Sequence, residues 1–216
     1  MGRKLRSPTR TISNRGELPR FIGQFPCTKG ATFPLTFDSL SALLCGVYLE
    51  WRSDVVSVAF EPREYRFEET SDLPALTCIP DYEAILDTGE LELFEAKYAE
   101  ADLRDTERTK LKLTAAHCKQ QGIPYHVIYR DILEKDGFID TLMLLRPYGR
   151  LQFSTETATE AEKRLSRFDE APLEIWRERA RHEGVPAGML YHLLYHQRLP
   201  LVYRPLIQVE LMPCRA

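Results

Sequence analysis

An α/β sandwich of modest size around a mixed sheet is the fold class that this sequence predicts. Three observations point to it. An almost wholly apolar helix stands ahead of a run of short alternating segments. Those segments have strand periodicity and are punctuated by turn signals. An amphipathic helix then leads into one more apolar strand. The order helix, three or four strands, helix, strand places helices against a sheet that mixes strand directions.

The elements follow in chain order. Residues 1–20 are polar and basic, with Ser7-Pro8 and Leu18-Pro19-Arg20, and read as an extended arm. Residues 21–36 form a lead-in punctuated by Gly and Pro. Thr36-Phe37-Asp38-Ser39 offers N-cap residues, and Leu40 to Trp51 is apolar almost all round, which predicts a buried helix. Val55 to Phe60 and Arg63 to Phe67 alternate like strands. Cys78 to Leu86 reads as one strand, Asp87-Thr88-Gly89-Glu90 as a turn built on Gly89, and Leu91 to Lys97 as the returning strand of a hairpin. Asp105 to Gln121 is an amphipathic helix, with Asp105 and Thr106 as capping candidates and Gly122 at the C′ position. Tyr125 to Tyr129 is a short apolar strand.

Ser154 to Thr159 reads as a polar break. Residues 1–20 are therefore assigned to the arm, 21–150 to a catalytic domain and 151–216 to a small C-terminal domain. In the last, Pro172 to His182 and Ala187 to Gln197 predict helices around the turn Gly184-Val185-Pro186. Leu199 to Leu211 predicts a short β-ribbon, so this domain reads as helical and winged-helix-like, suited to protein or DNA contact.

Charge is unevenly spread. The chain has a formal net charge of −3, yet residues 1–30 carry seven basic residues (Arg3, Lys4, Arg6, Arg10, Arg15, Arg20 and Lys29) against Glu17 alone. A basic arm on an acidic body suits contact with a DNA backbone or an acidic partner. The five cysteines form no CxxC pair, so neither a zinc pattern nor a disulfide framework is expected, and a cytoplasmic location is. His192 and His196 have an i,i+4 spacing that could hold a metal, but no Glu or Cys stands at a suitable distance from them. No apolar run is long enough for a membrane span, and no signal peptide precedes the basic start.

The chemistry-bearing pattern is Pro80-Asp81 followed by Glu95-Ala96-Lys97. A hairpin through Gly89 brings Asp81 and Glu95 to the same end of two paired strands. Residues two apart on a strand share a face, so Glu95 and Lys97 point together. Two carboxylates converging with one ammonium make a site for a hard divalent cation, Mg²⁺ or Mn²⁺. Beside a phosphodiester, that arrangement favours metal-assisted hydrolysis.

With these pieces in order, the chain resembles the TnsA family, the endonuclease subunits of heteromeric cut-and-paste transposons. The likeness covers roughly residues 20–135. It rests on Arg20-Phe21-Ile22-Gly23-Gln24-Phe25-Pro26, Phe37-Asp38-Ser39, Leu49-Glu50-Trp51 with Asp54-Val55-Val56, and Phe60-Glu61-Pro62, where the family usually has Gln-Pro. Pro80-Asp81, Glu95-Ala96-Lys97, Arg104 to Arg108 and Gly122-Ile123-Pro124 complete it. The resemblance implies a restriction-endonuclease-like PD-(D/E)xK fold, a mixed sheet flanked by helices. It implies Asp81 and Glu95 as Mg²⁺ ligands, the backbone carbonyl of Ala96 as a third, and Lys97 as the group that orients the attacking water. It also implies partners: transposon-end DNA, a TnsB-like transposase and a TnsC-like AAA+ ATPase engaged through the C-terminal domain. Lys110 and Lys112, on the following helix, are phosphate-contact candidates beside the arm residues.

One position departs from the family. A catalytic glutamate is expected eight residues before Glu50, and Ala42 stands there. The alanine is read in three ways: a deliberate inactivating change, a naturally weakened nuclease, or an acid moved elsewhere, to Glu50 or Asp38. Glu50 lies about 80° around the helix from position 42 and does not put a carboxylate in the same place. The engineered alanine is the preferred reading, since alanine suits a helix and does little other damage. The functional alternatives are a non-catalytic scaffold linking transposase and AAA+ regulator, and an unrelated PD-(D/E)xK nuclease.

Overall fold

The computed structural model describes residues 21–203; the arm candidates Arg3, Lys4, Arg6, Arg10, Arg15 and Arg20, and residues 204–211 of the expected ribbon, lie outside them. The chain divides into two compact units, Met1–Leu133 and Glu134–Ala216.

The first unit is mixed α/β. Strands β1 (Gly23–Phe25) and β2 (Leu35–Phe37) form a small antiparallel pair ahead of helix α1 (Leu40–Trp51). Ser39 caps α1 as expected, its hydroxyl accepting from the Ala42 N–H at 3.0 Å. The main sheet contains β3 (Val55–Phe60), β6 (Tyr82–Leu86), β7 (Leu91–Lys97) and β8 (Tyr125–Tyr129) in the order β3-β6-β7-β8. The first three are antiparallel and β7-β8 is parallel. A parallel partner needs a crossover, and α2 (Asp105–Gln120) supplies it. The mixed sheet that the sequence predicts is therefore present.

Alternation along β7 divides its side chains between two layers. Leu93 belongs to a buried cluster with Phe67, Cys78 and Cys118 of α2. On the other side α1 packs on β3 and β7. Gly46 lets α1 lie close to β1 and the start of β6: a Cβ there would stand 2.7 Å from the Tyr82 hydroxyl and 2.8 Å from the Phe25 ring. Tyr82 is fully buried and donates its hydroxyl to the Ala42 carbonyl at 2.7 Å, tying α1 to the start of β6.

Several boundaries differ from the sequence reading. Cys78 to Leu86 is not one strand. Strand β5 (Leu76–Cys78) pairs with β4 (Tyr65–Phe67) in a separate two-stranded sheet, and the chain breaks through Ile79-Pro80-Asp81 before β6 joins the main one. Proline, lacking an N–H, ends the ladder there. The N-cap of α2 is Arg104, not Asp105 or Thr106, and its backbone N–H donates to Glu107 Oε2 at 3.1 Å. Gly122 does hold the left-handed C′ position, with φ of 68°.

In the second unit the division from the first comes at Leu133/Glu134, earlier than the expected 150. Helix α4 (Phe138–Gly149) belongs here because Ile139, Leu142 and Leu145, spaced along one face, are buried and the helix packs on α7 (Ala187–Tyr195). Residues 154–159 are not a break. Ser154 accepts from the Thr157 N–H at 3.2 Å and starts α5 (Thr155–Leu165), whose buried stripe is Ala158, Ala161 and Leu165. Helix α6 (Leu173–His182) brings Trp176 into the centre, its indole N–H donating to the Pro200 carbonyl at 2.8 Å. Among the described residues this unit has four main helices and no ribbon; residues 199–203 contribute a parallel bridge between Leu201 and Ala171.

The two spaced histidines serve the packing of α7. His192 bonds the Tyr148 carbonyl at 3.2 Å and His196 the Gly149 carbonyl at 2.9 Å. Both bonds fall on carbonyls at the C-terminus of α4, where the Tyr148 carbonyl also accepts the Leu151 N–H at 3.1 Å.

Candidate functional site

The end of the hairpin is where chemistry-bearing groups meet. Tyr82 pairs with Phe94, so extending the register by one places Asp81 opposite Glu95. Strand β7 continues to Lys97 while β6 has not yet begun. In place of a backbone partner, Asp81 Oδ2 accepts the Ala96 N–H at 2.7 Å. One further step of the register sets Pro80 opposite Ala96. A strand residue turns its N–H and C=O to the same neighbour, so the Ala96 carbonyl faces the edge held by Asp81, and Pro80 has no N–H to offer it. Lys97 Nζ lies 2.6 Å from Glu95 Oε1, as expected from their shared face.

These groups open into a concave site of about 470 Å³. Asp81, Glu95, Ala96 and Lys97 line it, together with Lys110 of α2 and Asp38, just ahead of α1. Lys112 does not reach it. It lines a separate cleft of about 240 Å³ along β8, with Leu111 and Tyr125.

The electrostatics are those of a crowded acidic site. Burial, then the Glu95 charge, pushes the Asp81 carboxyl up to about 8, against the Ala96 N–H and the Lys97 ammonium; Asp38 adds to the upward push. Burial opposes charge on Lys97, but the bonded Glu95 carboxylate, with Asp81 and Glu107, outweighs it and raises the lysine above its ordinary value. Lys97 is therefore a fixed ammonium. A cation bound there would favour the charged carboxylate, against that upward push.

The donor set suits a hard cation: two carboxylates and one backbone carbonyl, all oxygen. Among the described residues no group of three or more His, Cys, Asp or Glu side chains is already gathered for a metal. Ala42 is fully buried, and burial, then the charges of Asp81 and Glu95, drives the Cys45 thiol well above its usual range. Cys45 is one turn on from Ala42, so the two share a face of α1.

Of the two positions to which the missing acid could have moved, Glu50 is occupied elsewhere. It is 2% exposed, and its Oε1 accepts from the Thr28 N–H at 2.7 Å and the Thr28 hydroxyl at 3.0 Å. It holds the lead-in against α1. Glu50→Ala is expected to cost about 1.5–3 kcal/mol, as the loss of hydrogen bonds to a buried charged acceptor does. Urea denaturation checks this, and an unchanged midpoint would mean that the contact carries no stability.

Two further acids on the site wall, Glu61 and Glu64, were not singled out from sequence. Glu61 is 1% exposed and adopts a left-handed backbone with φ of 40°. Its N–H donates to the Asp81 carbonyl at 2.9 Å. The Glu61-Pro62 pair was its one sequence signal: the residue before proline disfavours the right-handed helical region.

Neither a protein-family model nor a curated protein sequence matches this chain.

Proposed function

We propose that this protein is a metal-dependent DNA endonuclease of the restriction-endonuclease-like class, and the TnsA-like subunit of a heteromeric transposase. The observation that carries the proposal is the convergence of Asp81, Glu95 and Lys97 in one concave site, with Asp81 bonded across to the Ala96 N–H. In that role it cuts the 5′ strands at transposon ends, so that a TnsB-like partner completes cut-and-paste movement under a TnsC-like ATPase. The resemblance over residues 20–135 supplies this finer part.

Asp81, Glu95 and the Ala96 carbonyl would hold Mg²⁺ or Mn²⁺, which supplies Lewis acidity at the phosphate and acidifies a bound water. Lys97, fixed by Glu95, orients the water or faces a phosphate oxygen. Lys110 faces the same cavity and offers a second positive charge to the DNA backbone. As water oxygen bonds to phosphorus, the ester bond to the leaving sugar oxygen breaks, and a water proton is passed on to that oxygen or to solvent.

The test is single-turnover nicking of end-bearing DNA by the protein with its partner transposase and Mn²⁺. Lys97→Ala is expected to slow cleavage by roughly 10²-fold or more, as loss of a preorganised charge does, while metal binding persists. An unchanged rate would remove Lys97 from the site. Ala42, with no carboxylate on α1 where the family has one, favours the second reading, a non-catalytic scaffold. Assembly without any metal-dependent nicking would select it.

A further inference from the structure

We propose that this protein pairs with a second copy of itself through the outer edge of β8, in an antiparallel contact with its two-fold axis at Val127. The two edges of the main sheet are treated differently. At β3 the edge is closed. The lead-in makes a parallel bridge from Gly30 to Val58, with the Ala31 N–H donating to the Val58 carbonyl at 2.6 Å and the Val58 N–H to the Lys29 carbonyl at 2.7 Å. A register shift between Val55 and Ser57 disrupts that strand further. Covering segments, bulges, lysines and prolines are the usual guards of a sheet edge. Strand β8 ends the sheet on the other side with no lysine, no proline and no register shift, and none of its five residues is buried. The Pro124 carbonyl accepts the Leu93 N–H at 2.9 Å and so faces β7. Backbone groups alternate sides along a strand. Tyr125 and Val127 therefore turn both N–H and C=O outward, and Tyr129 turns its N–H outward.

The strand is complementary to itself. Tyr125-His126-Val127-Ile128-Tyr129 has an aromatic residue at each end and Val127 at its centre, read in either direction. About a two-fold at Val127, each Val127 N–H meets the other copy's Val127 carbonyl and each Tyr129 N–H meets a Tyr125 carbonyl. Side chains agree with that pairing. Tyr125, Val127 and Tyr129 share a face, and with Leu111 and Ala115 of α2 they line the cleft of about 240 Å³ beside the edge. Each Tyr125 comes opposite a Tyr129 of the other copy, a favourable cross-strand aromatic pair. Charge is complementary as well. Only residues 121–124 separate α2 from β8, so the helix runs back along the strand and its start lies near Tyr129. Glu100, its side chain 72% exposed, stands at that end and pairs with Arg108 at 3.7 Å. After burial, its charge is the largest influence raising the Tyr129 hydroxyl. Lys112, on the same cleft, is one turn further toward Tyr125. Antiparallel pairing lays the Tyr125 end of one copy on the Tyr129 end of the other, which brings Lys112 toward Glu100 across the contact. The two four-stranded sheets then run on as one. The contact does not depend on the cation site.

The test is the association state of the full chain, by sedimentation equilibrium, joined to amide hydrogen exchange at low and high concentration. An interface this short belongs to the weak class, so half-association is expected at about 10–100 µM. Val127→Lys and Val127→Glu each set like charges face to face on the two-fold, and each is expected to weaken association by about tenfold or more. Mixed in equal amounts, the two variants are expected to associate again. In the parent, the Val127 and Tyr129 amides should gain protection as concentration rises, while those of His126 and Ile128, turned to β7, stay protected throughout. A parent that is monomeric at about 200 µM, well above the weak range, would overturn the proposal. So would a dimer that neither charge weakens, or variants that do not recover on mixing, since the contact would then lie on another surface. Protection of the Val127 and Tyr129 amides in the dilute monomer would also overturn it, and would mean that another segment of the same chain covers the edge.

Discussion

Asp81→Asn is expected to raise the melting temperature of the metal-free protein near pH 9, to leave it unchanged near pH 4, and to abolish metal-dependent cleavage at both. The sign follows from the direction of the shift. An aspartate unfolds with a pKa of about 4, while the buried Asp81, facing Glu95, is pushed up to about 8. A group raised on folding contributes its full stability below the unfolded value. That contribution is lost as pH rises through the folded one. The metal-free fold is therefore penalised progressively between about 4 and about 8. Asparagine keeps an oxygen to accept the Ala96 N–H and carries no charge, so the penalty disappears and the backbone contact remains. Each kcal/mol recovered moves the melt by about 4 °C in a unit of this size. Added Mn²⁺ should stabilise the parent most at high pH, where the displaced proton costs least, and should do nothing for the variant. A parent melt that does not fall above pH 8 relative to Asp81→Asn would mean that neither burial nor the Glu95 charge raises the Asp81 carboxyl.

A mutation that stabilises the fold while destroying the chemistry is a signature of a functional site. It also separates Asp81 from Glu50, a buried acid of the same unit. Glu50 is bonded to two donors of Thr28, and its removal is expected to destabilise. The two acids have opposite predicted effects because one is placed for a ligand and the other is already satisfied.

Much of this arrangement was legible in the sequence. Helix α1 runs from Leu40 to Trp51 and is capped by Ser39, as the cap residues and the apolar run predict. The hairpin turns at Gly89, with φ of 87°, and it does bring Asp81, Glu95 and Lys97 together. These features are local: a cap, a turn and a period of two are each set by a few neighbouring residues. The features that were missed depend on distant partners. The separate β4-β5 pair exists because Cys78 finds Tyr65 and not the main sheet, a choice that alternation alone does not express. Helix α4 joins the second unit through α7, nearly forty residues on. The polar run after Ser154 resembles a linker until its hydroxyl is seen to cap a helix whose buried face is mostly alanine, a weak hydrophobic signal. Glu61 and Glu64 reach the cavity wall only through the folding of the turn after β3.

Ala42→Glu is expected to strengthen Mn²⁺ binding and, with the partner transposase, to raise 5′-strand cleavage. Position 42 is the third residue of α1, where glutamate is favoured by the helix dipole and by the open N–H groups of the first turn. The Ala42 carbonyl already holds the Tyr82 hydroxyl, and Tyr82 follows Asp81 directly, so the backbone at 42 is fixed beside the carboxylate corner. Ala42 itself is fully buried, and a glutamate must extend along the α1 surface toward the cavity rather than stay where the methyl group lies. Its three-bond reach beyond Cβ allows that; the charge left in place would be costly and would show as a lowered melt. Precision decides the size of the effect, since a displacement of about 1 Å can cost ~10²-fold in rate. With alanine at 42 the 5′ strands should stay largely joined, so the donor copies into its target as a cointegrate, and Ala42→Glu should return simple insertion. Ala42→Gln has the same size and no charge, and should restore neither binding nor cleavage. Recovery by glutamine as well as glutamate would show that the site needs bulk at position 42 and no third acid. No gain by a well-folded glutamate variant would show that the third acid lies elsewhere than position 42.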